Sequence, residues 1–195
     1  MRTVLLSSSA FLLSFATFAG AQSAHAAGET TRPATSGDDA MVANALSAAP
    51  ASLAAGATVV ALDGRVLRAG TSDWVCMPDM PDLPFDSPMC LDAPWRETID
   101  AWMHHRAPKV TTIGIGYMLQ GDFPVSNVDP YAKAPTPANE WVGEGTPHIM
   151  MVFPDARDLE GFSTDPKSGG PYVMWRGTPY AHVMIPTLPP ANASQ

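Results

Sequence analysis

Two ten-residue stretches with the same grammar constrain this chain more than any other feature. Gly145-Thr146-Pro147-His148-Ile149-Met150-Met151-Val152-Phe153-Pro154 is echoed by Gly177-Thr178-Pro179-Tyr180-Ala181-His182-Val183-Met184-Ile185-Pro186. Each opens on Gly-Thr-Pro, which is good turn chemistry. Each then runs through His-apolar-Met to a proline that interrupts regular structure. A short apolar run between turn signals reads as a buried strand. Residues two apart on a strand share a face, so His148 stands beside Met150 and His182 beside Met184. The chain is expected to fold around these two His-x-Met strands.

The preceding segments supply partners for them. Asp38 or Asp39 can cap a helix in which Met41, Val42, Ala45, Leu46 and Ala49 recur at helical spacing, stopped by Pro50. Asp63-Gly64 between two β-favouring runs, residues 57–62 and 65–69, predicts a hairpin with a type I′ turn. Trp74-Val75-Cys76 reads as a third strand, followed by an irregular segment, residues 77–89, with Pro78, Pro81, Pro84 and Pro88. Asp92 is placed to cap a second helix with Pro94 in its first turn, and His104, His105 and Arg106 suit its C-terminal dipole. Residues 110–119 predict one strand whose Gly114 and Gly116 mark a bulge or a close backbone approach. A long loop, residues 120–144, follows, then the first His-x-Met strand. A short helix is expected from Asp155 to Gly161, and a hairpin pairs residues 172–175 with 180–185.

Strands arriving as hairpins predict an α+β fold: a mainly antiparallel sheet of about six or seven short strands with two or three short helices and one disulfide. Cys76 and Cys90 are the only cysteines, and such a pair in an exported chain is expected to be bridged. Export is read from the N-terminus. Arg2, the apolar run from Val4 to Gly20 and the small-residue sites ending at Ala21 and Ala26 have the form of a secretory signal peptide over residues 1–26. Residues 27–37 are expected to be a disordered leader, 38–188 a single domain and 189–195 a disordered tail, in the periplasm or the medium. Cleavage removes Arg2, so the charge moves from −8 to −9. An acidic chain without a basic cluster argues against nucleic acid and anionic membrane surfaces as partners. No membrane insertion is expected after cleavage.

Three chemistries fit the residues at hand. His148, His182 and Tyr180 are placed to line a small-molecule cleft under the loop of residues 120–144. Imidazoles with soft thioethers suit copper, Cu(I) above all, which makes His148, Met150, His182 and Met184 an alternative metal set; otherwise no cofactor is implied. A hydrolase with a His–Asp pair is the third, drawing on Asp79, Asp82 or Asp155. The sequence contains no G-x-S-x-G, H-E-x-x-H, S-x-x-K or phosphate-cradling glycine loop, so the balance leans away from an enzyme.

Four segments carry a family likeness: Trp74-Val75-Cys76-Met77-Pro78-Asp79, Pro88-Met89-Cys90-Leu91-Asp92, Gly116-Tyr117-Met118-Leu119-Gln120-Gly121-Asp122, and Met174 through Met184. Over residues 40–188 the chain resembles a group of exported bacterial proteins with no assigned activity. The resemblance implies export and a single domain, and it carries over no catalytic or binding residue.

Overall fold

The computed structural model describes residues 37–80, 86–139, 141–142 and 146–187. The expected signal peptide, the leader up to residue 36, the expected tail (189–195) with residue 188 before it, and Asp82 lie outside the described residues. Helix α1 (Gly37–Ser47) and the single turn α2 (Ala51–Ala54) flank Pro50, which breaks the first helix and leads the second. Strands β1 (Thr58–Val60) and β2 (Val66–Arg68) form the expected hairpin. Its turn differs from the type I′ expectation: Gly64 has φ 86 while Asp63 is not among the positive-φ residues. Gly64 N–H donates to Ala61 O, and the left-handed glycine follows a tighter turn. Ala61 N–H donates to Arg65 O, which leaves three residues, 62–64, inside the last bonded pair, and a loop of that kind needs one left-handed residue.

Strand β3 (Val75–Met77) runs parallel to β1, and β4 (Met89–Leu91) pairs antiparallel with β3 so that Cys76 faces Cys90. The disulfide joins these two directly opposed residues. Helix α3 (Ala93–Met103) starts at Asp92, whose one carboxylate oxygen accepts from Trp95 N–H while the other accepts from Ile115 N–H. The cap therefore fixes the helix start against β5 (Gly114–Met118). The helix ends at Met103. His104, one residue beyond, bonds the Asp100 carbonyl through both its backbone N–H and its ring Nδ1, and Arg106 pairs with the carboxylates of Glu97 and Asp100. The Arg106 pairs place positive charge at the helix end.

The loop of residues 120–144 carries a short ladder of its own, β6 (Val125–Ser126) with β7 (Trp141–Val142). Strand β8 (His148–Val152) is followed by a 3-10 turn over Ala156–Leu159. Strands β9 (Tyr172–Met174) and β10 (His182–Pro186) close the chain. The result is α+β: an eight-stranded sheet in the order β2-β1-β3-β4-β5-β8-β10-β9, antiparallel except at β1–β3, plus the two-stranded ladder.

Alternation along the strands splits the core into two faces. One face carries Leu91, Met118, Met150, Val152, Met174 and Met184 and packs under Trp95 of α3. The opposite face carries Val59, Cys76 and Cys90 under Ala45 of α1 and Ala48 just past its end, and Val173 and Val183 against Leu159. Gly114 and Gly116 prove to be a close approach rather than a bulge. A Cβ on Gly114 would stand 2.7 Å from Pro94 Cβ, and one on Gly116 would stand 3.3 Å from Trp95 Cδ1. The missing side chains let α3 settle low enough for Trp95 Nε1–H to donate to the Met150 carbonyl at 3.0 Å.

Candidate functional site

The two His-x-Met strands are neighbours, and the register decides what they bring together. β8 and β10 are antiparallel, with Met150 directly opposite Met184 and His148 opposite Pro186. Opposed residues share a face, so both histidines and both methionines lie on the face under α3. Because the strands run in opposite directions, the histidines depart from the methionine pair at opposite ends. Four residues at ~3.3 Å each separate them by about 13 Å along the strands. The fold thus unites Met150 with Met184 and keeps His148 and His182 apart. His148 instead faces Met118 of β5, and His182 faces Met174 of β9.

Both imidazoles are interior, each 2% exposed. His148 Nδ1 lies 2.7 Å from Thr146 O, and His182 Nδ1 lies 2.9 Å from Tyr180 O. A carbonyl only accepts, so each Nδ1 carries the proton and each neutral ring keeps its lone pair on Nε2. Burial disfavours the charged form of both rings and pulls His182 down to about 4, against a smaller upward pull from the carbonyl bond. The groups that move these rings are backbone carbonyls and, for His182, the other histidine. No carboxylate figures among them. His148 Nε2 is buried and has no hydrogen-bond partner among the described residues.

Around His182 the fold assembles an aromatic array that sequence spacing does not reveal. Trp95 and Trp175 meet its ring edge-on, with centroids at 5.0 and 5.1 Å. Trp175 stacks on Trp102, Trp102 on Tyr131, and Tyr131 on exposed His105. The Tyr131 hydroxyl has Trp102 O and the Tyr180 hydroxyl both at 2.9 Å. With one proton to give, it donates to the carbonyl and receives from Tyr180. Burial, then the Tyr180 contact, pushes Tyr131 up to about 12. Tyr180, expected beside the histidines, is itself buried and serves this bond.

Among the described residues, His105 (φ 52) and Trp175 (φ 55) are the non-glycine residues with positive φ. An aromatic residue in that region costs on the order of 1–3 kcal/mol and persists only where its surroundings hold it. Trp175 is held by its N–H on Asn127 O and its indole N–H on Ser126 O, both at 2.8 Å. The strained residue therefore binds the end of β9 to the loop of residues 120–144.

A cavity of about 450 Å³ opens beside that junction. The loop contributes Asn127, Val128, Pro137 and Ala138, and Thr164, Val173 and Arg176 form the rest of the wall. His148, His182 and Tyr180 are not among its lining residues. Asn127 is 5% exposed; its amide N–H donates to Thr164 O at 3.1 Å, which fixes the flip of the group. The amide oxygen is left buried without a partner among the described residues. Arg176 is positioned by one guanidinium nitrogen on Leu159 O and Phe162 O, both at 3.1 Å.

Asp122, at the start of the same loop, is held up at about 7 by burial, with its own bond to Phe123 N–H pulling the other way. No three of His, Cys, Asp and Glu gather as a metal site among the described residues. Nor is any helix among them long and apolar enough to cross a membrane. Comparison of the chain with protein-family models, with curated proteins and with solved structures finds no match.

Proposed function

We propose that this is an exported domain that binds a small molecule in the cavity between the loop of residues 120–144 and the Thr164–Arg176 wall. The observation that carries the reading is Asn127: a buried amide whose orientation is fixed and whose oxygen is left unmet. An unpaired buried acceptor costs about 1–3 kcal/mol, which a ligand N–H or O–H would recover on displacing the side chains that cover the oxygen. Arg176 adds the one cationic group in the lining, so a ligand carrying both a donor and an anionic group, such as a small amino or hydroxy acid, suits the walls. The volume lies in the range of small-ligand sites, roughly 300–1,000 Å³. His182 serves in this reading as neutral scaffold, supporting Trp175 from behind. Absence of a carboxylate among the groups acting on either imidazole favours binding over His–Asp acid–base chemistry. The disulfide favours an oxidising compartment.

Tryptophan fluorescence tests the binding, since Trp175 contacts Asn127 directly. Titration with a panel of small amino and hydroxy acids should give a saturable change for at least one class, lost in Asn127→Leu and weakened in Arg176→Gln. Asn127→Leu should also keep or raise stability, because it removes the unmet oxygen along with one bond worth about 1 kcal/mol. A wild-type signal flat across the panel, or a bound ligand indifferent to Asn127→Leu, sinks the reading. Export is checked by the mass of the chain recovered outside the cytoplasm, which should begin at Gln22 or Ala27.

A further inference from the structure

The unpartnered nitrogen of His148 has a different environment from the amide of Asn127, and it points to different chemistry. Its Nδ1–H is already bound to the Thr146 carbonyl, so the ring is oriented and the lone pair on Nε2 is free to donate. A histidine whose far nitrogen is fixed by a backbone carbonyl is the arrangement found at metal centres. The strand register places thioethers beside it. Met118 stands directly across on β5, where Cβ atoms of opposed residues lie about 4.5–5.5 Å apart. Met150 follows two residues along on the same face of β8.

Gly116 completes the geometry. Because it has no side chain, Met150 leans over β5: its Cε lies 3.0 Å from where a Gly116 Cβ would be. That carries the Met150 thioether towards the strand bearing Met118. Both methionines are buried, 2% and 6% exposed, and belong to one packed cluster. Each has three rotatable bonds with which to swing sulfur towards the imidazole.

We infer that His148 Nε2, with the sulfur atoms of Met118 and Met150, forms a binding site for a soft monovalent cation, with Cu(I) as its natural occupant. Thioether and imidazole donors select Cu(I) over oxygen-seeking Mg²⁺ or Ca²⁺; no carboxylate figures among the groups acting on His148, and both cysteines are held in the disulfide. A single positive charge also costs less than a double one among neutral ligands in an apolar interior. The set differs from the four residues singled out by sequence. Antiparallel register removes His182, whose ring is enclosed by Trp95 and Trp175, and brings in Met118 from β5. This site is independent of the Asn127 cavity.

The test is competition for Cu(I), under anaerobic conditions, between the purified full chain and a chromogenic Cu(I) chelator. The wild type should hold one Cu(I) per chain. His148→Phe, which keeps the volume filled, should abolish retention. Met118→Leu and Met150→Leu conserve volume and fold stably, and each should weaken Cu(I) binding by about tenfold or more, since even outer-shell changes cost 10–100-fold. Met174→Leu, beside His182, should bind as the wild type does. Wild-type chain that loses all Cu(I) to the chelator overturns the site. So do Met118→Leu and Met150→Leu variants of unchanged affinity, or an affinity lost in His182→Asn and kept in His148→Phe.

Discussion

Replacing His182 by Asn should remove a pH dependence that can be calculated from its surroundings. The imidazole ordinarily titrates at 6.5 and is held at about 4 in the folded chain, chiefly by burial. Between those values the unfolded chain takes up a proton that the folded chain refuses. Stability from this group is therefore complete above about pH 6.5 and is lost as pH falls towards 4. The gap of about 2.5 at ~1.36 kcal/mol per pH unit comes to about 3 kcal/mol. Asp122 acts in the opposite sense. Its carboxyl is held at about 7 rather than 3.8, so the folded chain keeps a proton the unfolded chain releases, and acidification strengthens it. The wild-type profile alone therefore mixes contributions of opposite sign, His148 acting with His182 and Asp122 against them.

The difference between wild type and His182→Asn isolates the ring, because Asp122 and His148 are common to both proteins. Asn keeps an N–H donor near the position of Nδ1, within reach of Tyr180 O. Urea melts at half-unit steps from pH 7 to pH 4 supply the two curves. The wild type should lose about 3 kcal/mol relative to the variant across that range. A difference constant to within about 0.5 kcal/mol would show a ring that protonates freely in the folded state, and the enclosed environment argued for His182 would be wrong.

Two further expectations concern the framework. Gly114→Ala drives a methyl against the Pro94 ring and the branched end of Val152, both at 2.7 Å, and should cost about 1–3 kcal/mol. Gly116→Ala meets the flexible ends of Leu91 and Met150 at 2.9 and 3.0 Å and should cost less; denaturant melts that reverse this order would refute the account of how α3 settles on the sheet. Replacing Cys76 and Cys90 together by Ser opens a loop with a sequence separation of 14. The loss should be about 3 kcal/mol, seen as a fall of roughly 6–12 °C in Tm for a domain of this size.

What the sequence made legible was local. The Asp92 cap with Pro94 behind it, the proline-bracketed runs around His148 and His182, and the paired cysteines each depend on residues a few positions apart, and each reappears in the fold. Strand β4 escaped because Met89-Cys90-Leu91 is three residues long behind four prolines. It exists as a strand because Cys76 and Tyr117 stand on either side of Cys90. The parallel β1–β3 pair escaped because the β2 hairpin folds to the outer edge and frees one side of β1 for a later strand. The site was legible only in its residue types. Trp95, Trp102, Tyr131, Trp175 and His182 come from four separate parts of the chain, and no spacing announces that their rings meet. Asn127 looked like any loop asparagine until the Thr164 carbonyl fixed its amide. The antiparallel register that separates the histidines is likewise a property of two strands joined by a long connection.

The placement of the Cys76–Cys90 bond also governs how this chain responds to cutting. The bond brackets residues 77–89, so a protease that cleaves anywhere within them divides the backbone without dividing the molecule. Helix α1 with β1–β3 would keep sulfur as its one covalent link to α3 and the strands beyond it. Such a nicked form would migrate as one species until reductant is added, then separate into two pieces. The same link that fastens two strands also makes one backbone break survivable.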